Sequence, residues 1–211
     1  MDDCKVFGIG LSRTGTSSLD AALAALGLRT IHFPSDPLTR SEIAGHLAAG
    51  ARPLRLSVLD RVDAISDTPV CCVYQGLDAA YPGSRFVLTI REEADWLRSC
   101  EAYWRKPRGS RRTGLRVAFR RARMATSDGL DFSAYVRLVN QHLYGTELFN
   151  PVQFSAVRRR YEGEVGRYFR GREDQLLTLD ICSGQGWPEL CGFLDLEAPA
   201  TPFPWTNRLA S

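Results

Sequence analysis

A glycine-rich turn near the N-terminus has the composition of a phosphate-binding loop. In GLSRTGTSS, residues 10–18, Gly10 and Gly15 have the spacing of the Walker A glycines, but Thr16 stands where that loop has its lysine. Amides at a helix N-terminus can still hold a phosphate, and Arg13 adds a cation. Further hydroxyl donors are Thr14, Thr16, Ser17 and Ser18. Because the lysine that reaches β- and γ-phosphates is missing, the loop suits one phosphate, alone or with one further group attached. The alternative is a turn whose hydroxyls only cap the helix.

A second candidate anion site lies in TIREEADWLRSC, residues 89–100. Arg91 stands at the end of a β-branched and aromatic strand, and Ser99 follows eight residues later, two turns into a helix. A guanidinium at the strand end and a hydroxyl on the helix can together bind an anion. Two such sites at neighbouring strand ends predict a ligand with two separated phosphates. In the alternative interpretation, Arg91 pairs with one of the acids that follow it, Glu92, Glu93 or Asp95.

Alternating strands and helices must position these residues, which predicts an α/β fold with a parallel sheet. Short apolar runs predict strands over 4–10, 29–33, 62–67, 84–90 and 175–181. Helical spacing predicts helices over 16–26, 70–81, 94–104 and 187–196, and one that ends near Gly50. The middle, 110–170, is predicted to be helical and Arg-rich. Ligands of such folds bind at the carboxyl ends of strands, so the loops at 10–18, 67–70 and 91–99 are the candidate sites.

Length and charge set limits on the class of protein. The chain has 211 residues and 44% hydrophobic residues, which suits one soluble domain over 1–211. We expect no membrane span, no signal peptide and a cytoplasmic location. The net charge of +3 is too small to argue for a nucleic-acid partner. The six cysteines lack zinc-site spacing, so we expect no metal.

Residues 105–123 carry nine Arg and Lys and no acid, which fits a solvated helix face, a mobile loop, or a lid over a charged cofactor.

These motifs, in this order, resemble the sulfotransferases that use 3′-phosphoadenosine 5′-phosphosulfate (PAPS). RTGTS, residues 13–17, is similar to their 5′-phosphosulfate loop, and Arg91 with Ser99 is similar to their 3′-phosphate motif. A bacterial branch offers the nearest resemblance, through GLSRTGTSSLDAAL, His32, DTP at 67–69, YPGSRFVLTIREEADWLRS and GWPELCGFLDLEAPATPFPWTN. The resemblance covers nearly the whole chain. It implies a P-loop-like three-layer fold with a central parallel sheet flanked by helices, plus a helical Arg-rich insertion.

The resemblance also implies an activity. A sulfuryl group would pass from PAPS to a hydroxyl or amine of a small-molecule acceptor, as in natural-product sulfation, and release adenosine 3′,5′-bisphosphate (PAP). Arg13 matches the basic residue that stabilises the leaving oxygen, and no metal is implied. The segment 105–170 would form the acceptor and lid region. The oligomeric state, a homodimer included, stays open. The alternatives are a P-loop kinase or NTPase, which needs the missing lysine, and a non-catalytic PAP-binding module.

Two side chains could take the acceptor's proton. In the cytosolic branch of the family, the strand end before the 3′-phosphate strand carries a catalytic histidine in T-H-x-P, and the matching S-D-T-P here contains Asp67. A buried carboxylate can act as a base, although Asp67 could instead cap the next helix. His32, at the end of the second strand, is the rival base.

The sequence departs from that branch in how it could bind adenine. The branch has an adenine-stacking tryptophan where Ser18 stands here, and its R-K-G segment has no counterpart. Trp205 and Asn207 in the C-terminal PFPWTN are candidates for contacts with the base. A Pro-rich tail that packs on the core is the alternative.

Overall fold

The fold is built on a sheet of five parallel strands in the order β2-β3-β1-β4-β5. It comes from a computed structural model, which describes residues 4–50, 53–105 and 130–206. The strands are β1 (Val6–Gly8), β2 (Thr30–His32), β3 (Ala64–Ser66), β4 (Arg85–Thr89) and β5 (Leu176–Leu179). All five predicted strands are present but shorter than expected. β3 ends before Asp67, because that residue takes a φ of 74° and so leaves the extended conformation.

Seven α-helices flank the sheet in the described ranges. They are α1 (Thr16–Ala25), α2 (Pro37–Ala49), α3 (Val70–Ala80), α4 (Glu93–Trp104), α5 (Phe132–Tyr144), α6 (Pro151–Tyr168) and α7 (Trp187–Leu194). Short 3₁₀ turns occur at Ser57–Asp60, Glu173–Gln175 and Ile181–Ser183. The predicted helices are confirmed within one or two residues at their starts and ends. The helical prediction for 110–170 holds for α5 and α6, whereas the basic stretch 105–123 lies outside the described residues apart from Arg105.

Apolar side chains on both faces of the sheet make the fold three-layered. On one face, Phe7 and Phe86 of the central strands pack into a large core with side chains of α3, α4, α5 and α6. On the other face, Val87 and Leu179 pack against α1 and α7, where Leu19 and Leu190 are fully buried. The expected α/β fold with a central parallel sheet is therefore confirmed. Among the described helices, none combines the length and apolar character needed to cross a membrane.

The strand order determines where the loops meet. β1 lies between β3 and β4, so the loop after β1 has the loop after β3 on one side and the loop after β4 on the other. After β1 the chain continues to β2 on one side of β1, whereas after β3 it crosses to β4 on the other side. Such a switch in direction opens a crevice at the carboxyl ends of the strands. Gly10 allows this close approach, because a Cβ there would lie 1.9 Å from Oγ1 of Thr89.

Candidate active site

The loop after β1 ends in an uncapped helix. Gly15 is the N-cap residue of α1 with a φ of 103°, and no side chain of the described residues hydrogen-bonds to the first amides of the helix. The first amides of a helix have no partner within the helix itself, so those of Thr16 and Ser17 can bind an anion. The alternative of a hydroxyl-capped turn is therefore wrong. Arg13 also has a positive φ, 78°, which is uncommon for a residue with a Cβ and is found at ligand-binding sites.

Thr14 braces the loop from within. Its hydroxyl donates to the carbonyl oxygen of Leu11 at 2.7 Å and lies 2.7 Å from Oγ1 of Thr89, which must then be the donor. Thr14 is only 1% exposed. Among the hydroxyls expected to contact phosphate, this one therefore stabilises the loop's own conformation and links it to β4.

Two helices hold the loop from outside, and the sequence analysis did not single out either contact. Trp96 of α4 donates from Nε1 to the carbonyl oxygen of Ser12 at 3.0 Å. Tyr161 of α6 donates its hydroxyl to the carbonyl oxygen of Ile9 at 2.6 Å. Both aromatic rings are buried, so the loop's backbone is fixed by the core. For Trp96 a signal existed, because the tryptophan stands in the same motif as Arg91 and Ser99; no local pattern marks Tyr161.

The two predicted anion sites meet at one hydrogen bond. Nε of Arg13, on the loop, donates to Oγ of Ser99, on α4, at 3.0 Å. The guanidinium carbon of Arg13 also lies 5.5 Å from the ring centre of Tyr103, within cation–π distance. Ser99 is fully buried, so this hydrogen bond holds the side chain of Arg13 against α4.

Arg91 has a buried donor that the described part of the chain leaves without a partner. Its Nε atom is inaccessible to solvent and has no hydrogen-bond partner among the described residues. The neighbouring acids are engaged elsewhere: Glu92 accepts from the first-turn amides of α4, Glu93 accepts from a serine of α6, and Asp95 pairs with an arginine one turn on. The alternative in which Arg91 pairs with one of these acids is therefore wrong. An unpaired buried donor is costly, which points to an anionic ligand at this position.

The arginines give this corner of the site a positive potential. Burial raises the pKa of the Cys100 thiol to about 12, while the guanidinium charges of Arg13, Arg91 and Arg158 oppose that rise. Cys100 follows Ser99 on α4, so these three cations lie close enough to act on one buried atom. The potential favours a ligand with more than one negative charge.

The two candidate bases lie in one hydrogen-bonded cluster. Oγ of Ser12 donates to Oδ1 of Asp67 at 2.7 Å, and Nε2 of His32 lies 3.3 Å from Oδ2. The same Nε2 lies 3.2 Å from Oγ1 of Thr16 and 3.2 Å from Oγ of Ser17. The cluster therefore joins the ends of β2 and β3 to the start of α1. Ser12 was missed by the sequence analysis, although it directly precedes Arg13.

Asp67 does not cap the next helix. The N-cap residue of α3 is Pro69, none of the side chains that the structure describes caps the helix, and Val70 donates its amide to the backbone oxygen of Asp67. The Asp67 side chain is only 9% exposed, and its φ of 74° is in the left-handed region. The buried carboxylate faces Ser12 and His32 and is therefore not available to cap α3.

Ser18 contacts the C-terminal tail. Its Oγ accepts a hydrogen bond from the backbone amide of Thr206 at 3.0 Å and lies 3.3 Å from the Thr206 hydroxyl. Phe203 of the tail packs on Trp187, with ring centres 4.8 Å apart, so the tail does pack on the core. Trp205 is nevertheless 44% exposed. Asn207 lies outside the described residues.

The structure thus brings Arg13, Ser99 and Arg91 to one side of the loop and Asp67 and His32 to the other. Within the described ranges, no three His, Cys, Asp or Glu side chains are grouped as metal ligands would be. The arrangement can hold phosphate groups and accept a proton beside them.

Comparison with known proteins identifies the class. The model of the sulfotransferase domain family matches residues 5–211, so the chain belongs to the sulfotransferase family. A relative from Aspergillus versicolor, "Ava biosynthesis cluster protein M", is 28% identical over 215 residues, which are 95% of this chain and 79% of that protein. The crystal structure of a sulfotransferase from Alicyclobacillus acidocaldarius has a TM-score of 0.51 at 18% identity, over 99% of this chain and 86% of that one. The resemblance to sulfotransferases is confirmed, and with it a general sulfotransfer activity.

Proposed function

We propose that this chain transfers a sulfuryl group from PAPS to a hydroxyl or amine of a small-molecule acceptor and releases PAP. One observation carries the proposal: an uncapped helix N-terminus with Arg13 stands beside Arg91, whose buried Nε has no partner among the described residues. Two anion sites at neighbouring strands suit the 5′- and 3′-phosphates of one nucleotide. In this proposal residues 1–211 are one domain, with 105–170 as its acceptor and lid region.

The donor's 5′-phosphate would be held by the loop. The free amides of Thr16 and Ser17, their hydroxyls and the guanidinium of Arg13 supply its donors. Arg91 would hold the 3′-phosphate together with Ser99, whose hydroxyl now accepts from Arg13. Because Ser99 touches Arg13 already, one helix links both phosphate sites.

The transfer step would use Arg13 and the pair formed by Asp67 and His32. The acceptor oxygen or nitrogen forms a bond to sulfur as the bond between sulfur and the bridging phosphate oxygen breaks. Arg13 stabilises the negative charge that develops on that leaving oxygen. The acceptor's proton passes to the pair formed by Asp67 and His32, and PAP departs with the electron pair of the broken bond.

Asp67 and His32 are well placed to act as one proton acceptor. Their 3.3 Å contact lets the carboxylate stabilise an imidazolium. The His32 side chain is 29% exposed against 9% for Asp67, so the imidazole is the more accessible of the two. Ser12 holds the second oxygen of Asp67 and so fixes the orientation of the carboxylate.

A groove on the α3 side of the sheet is our candidate for the acceptor, and Arg13, His32 and Asp67 are not among the residues that line it. Its volume is about 520 Å³, within the range of small-molecule pockets, and helices α2, α3, α5 and α6 line it. Cys71 and Cys72, at the start of α3, belong to its wall and follow the Asp67 turn by only a few residues. α5 and α6 come from the predicted acceptor region. The Aspergillus relative is named for a biosynthesis cluster, which is consistent with a small-molecule acceptor.

Two measurements test the function. PAP at about 100 times its Kd would stabilise the fold by about 2.7 kcal/mol, which for a chain of this size means a Tm rise of roughly 5 to 10 °C. ATP with Mg²⁺ should raise Tm much less, since it finds no lysine in the loop. A larger rise with ATP and Mg²⁺ would instead support the kinase alternative.

Turnover is the second measurement. Incubation with PAPS and a panel of phenols, alcohols and amines should yield PAP and a product that has gained one SO₃ by mass spectrometry. The Asp67→Asn variant serves as the matched control, because asparagine tolerates the left-handed backbone as aspartate does. Binding of PAP with no turnover on any acceptor class would favour a non-catalytic binding module.

A further inference from the structure

Two neighbouring cysteines have their sulfur atoms in contact at the start of α3. Sγ of Cys71 lies 3.9 Å from Sγ of Cys72, and both residues belong to the first turn of the helix. Neighbouring side chains of a helix normally point away from each other, so this contact is not a default of helical geometry. All six cysteines are free thiols, and among the described residues no other hydrogen bond joins two of them. The proposed transfer reaction leaves this pair unused.

The two thiols differ in their access to solvent. Cys71 is only 1% exposed, whereas Cys72 is partly exposed, and both line the groove of about 520 Å³. The contact with Cys72 and burial raise the pKa of the Cys71 thiol well above its usual value. The N-terminal turn of a helix favours negative charge, and the thiolate is the form of cysteine that reacts. Cys72 is therefore the thiol that a small oxidant meets first, with Cys71 protonated behind it.

A chain of hydrogen bonds connects this pair to Asp67. Sγ of Cys71 donates to Oγ1 of Thr68 at 3.8 Å, and that oxygen lies 3.0 Å from Oγ of Ser12. Because Ser12 gives its proton to Oδ1 of Asp67, Thr68 must be the donor in its contact with Ser12. The backbone is coupled as well, since the amide of Val70 donates to the carbonyl oxygen of Asp67. A change at the start of α3 therefore reaches the proposed base.

We propose that Cys71 and Cys72 form a redox modification site, at which a hydroperoxide joins the two sulfurs in a disulfide and thereby lowers turnover. The thiolate of Cys72 attacks one peroxide oxygen, the O–O bond breaks, and the other oxygen takes up a proton and leaves as water or an alcohol. The sulfur of Cys72 is then a sulfenic acid. The sulfur of Cys71 attacks it, and the proton of Cys71 leaves with the sulfenic hydroxyl as water. The two thiols have then given two electrons to one peroxide.

The disulfide must distort the first turn of α3. Neighbouring Cα atoms are about 3.8 Å apart, below the range of about 4.4 to 6.8 Å that is usual for disulfides. Closing the ring therefore requires the backbone between Cys71 and Cys72 to leave its helical conformation. Sγ of Cys71 also loses the proton that it donates to Thr68. Both changes act on the turn that carries Asp67, whereas the anion-binding residues lie at the ends of other strands. The effect on turnover rests on the proposed function, but the disulfide itself does not.

The test treats the full chain with hydrogen peroxide and then maps its thiols. Trypsin cuts after Arg61 and Arg85, so peptide 62–85 contains Cys71 and Cys72 and no other cysteine. After free thiols are blocked with iodoacetamide, this peptide should have lost two hydrogen atoms and carry no label. Dithiothreitol should restore both thiols. In parallel, kcat should fall about tenfold or more, since a shift of about 1 Å in a catalytic group can cost about 10²-fold, while the Kd of PAP stays within about threefold.

Serine variants assign the two roles. In Cys71→Ser, peroxide should leave a sulfenic acid on Cys72 that dimedone traps, because the resolving thiol is missing. In Cys72→Ser, the peptide should stay unoxidised, and kcat should be the same before and after peroxide. Cys4→Ser is the matched control, since Cys4 is an exposed thiol elsewhere in the chain and this variant should respond to peroxide as the wild type does. Dimedone labelling of Cys71 in Cys72→Ser would overturn the assignment of the roles.

The outcomes separate this inference from the proposed function. If peroxide oxidises Cys4 but leaves peptide 62–85 reduced, the redox site is overturned. A disulfide that forms with unchanged kcat overturns its effect on Asp67. Wild-type protein that forms the disulfide, but transfers no sulfuryl group from PAPS to any acceptor before oxidation, overturns the proposed function and leaves the redox site standing.

Discussion

Nε2 of His32 lies 3.3 Å from Oδ2 of Asp67, so the two side chains that the sequence offers as alternative bases form one pair. The contact exists because β2 and β3 are neighbours and His32 is in register with Ser66, the residue before Asp67. The same imidazole nitrogen faces the hydroxyls of Thr16 and Ser17 on the phosphate loop. The pair therefore lies beside the loop at the end of β3, where the proposed acceptor would approach.

Substitutions in this pair should be strongly non-additive. Asp67→Asn and His32→Gln should each lower kcat by about 10² or more, the scale of general-base loss, and leave the Kd of PAP within about threefold. The double variant should be little slower than either single variant, since both remove the same function. Single-turnover rates with PAPS and an acceptor provide the measurement. If the losses in kcat of the two single variants multiply in the double variant, Asp67 and His32 do not act as one pair. Near-normal turnover in Asp67→Asn would also contradict that role.

Arg91 should recognise the 3′-phosphate. Its buried Nε has no partner within residues 4–50, 53–105 and 130–206. We therefore expect Arg91→Ala to weaken PAP binding by about 2 to 4 kcal/mol, as for the loss of a partly buried charged hydrogen bond. Affinity for adenosine 5′-monophosphate, which lacks that phosphate, should hardly change. Arg98→Ala is the matched control, because Arg98 is an exposed arginine on α4, the helix that follows Arg91, and pairs with Asp95. Equal weakening of both ligands would refute the assignment.

Arg13 should act mainly on the transition state. Arg13→Ala should lower kcat by about 10² or more, in the range for loss of a group that stabilises developing charge. Arg13→Lys should lose less, since the ammonium keeps the charge but cannot reproduce the planar contact with Ser99. Arginine, lysine and alanine all have a Cβ, so the positive φ at position 13 destabilises the wild type and both variants to a similar degree. Unchanged turnover in Arg13→Ala would remove Arg13 from the chemistry.

One ion pair should make stability depend on pH. The side chain of Arg29 hydrogen-bonds to Asp63 and lowers the pKa of that carboxyl to about 2. A lowered pKa means that the stabilisation is complete above the unfolded-state pKa, about 3.9, and is lost as the pH falls through the folded value. The Tm difference between wild type and Asp63→Asn should thus be constant from about pH 5 to 7 and shrink on acidification. A difference that grows below about pH 4 would contradict this origin.

Local sequence was enough to predict the elements and the strand, turn and helix start around residues 10–18. The strands and helices follow from the spacing of apolar residues and from glycine and proline at their ends. These signals depend only on residues that are close together in the chain. The same holds for the pattern around Gly10, Arg13 and Gly15, because a strand, a turn and a helix start are contiguous in the chain. The spacing of Arg91 and Ser99 likewise needs only one strand and one helix.

Contacts between distant segments were decided by the tertiary structure alone. Whether Asp67 meets His32 depends on the order β2-β3-β1-β4-β5, and the contact of Ser18 with Thr206 depends on where a tail returns after the whole sheet has formed. Trp96 reaches Ser12 only because α4 packs beside the loop. Such contacts result from the packing of side chains across layers, which no local spacing encodes. The sequence thus determined which chemical groups the site contains, and the sheet order and core packing determined which of them touch.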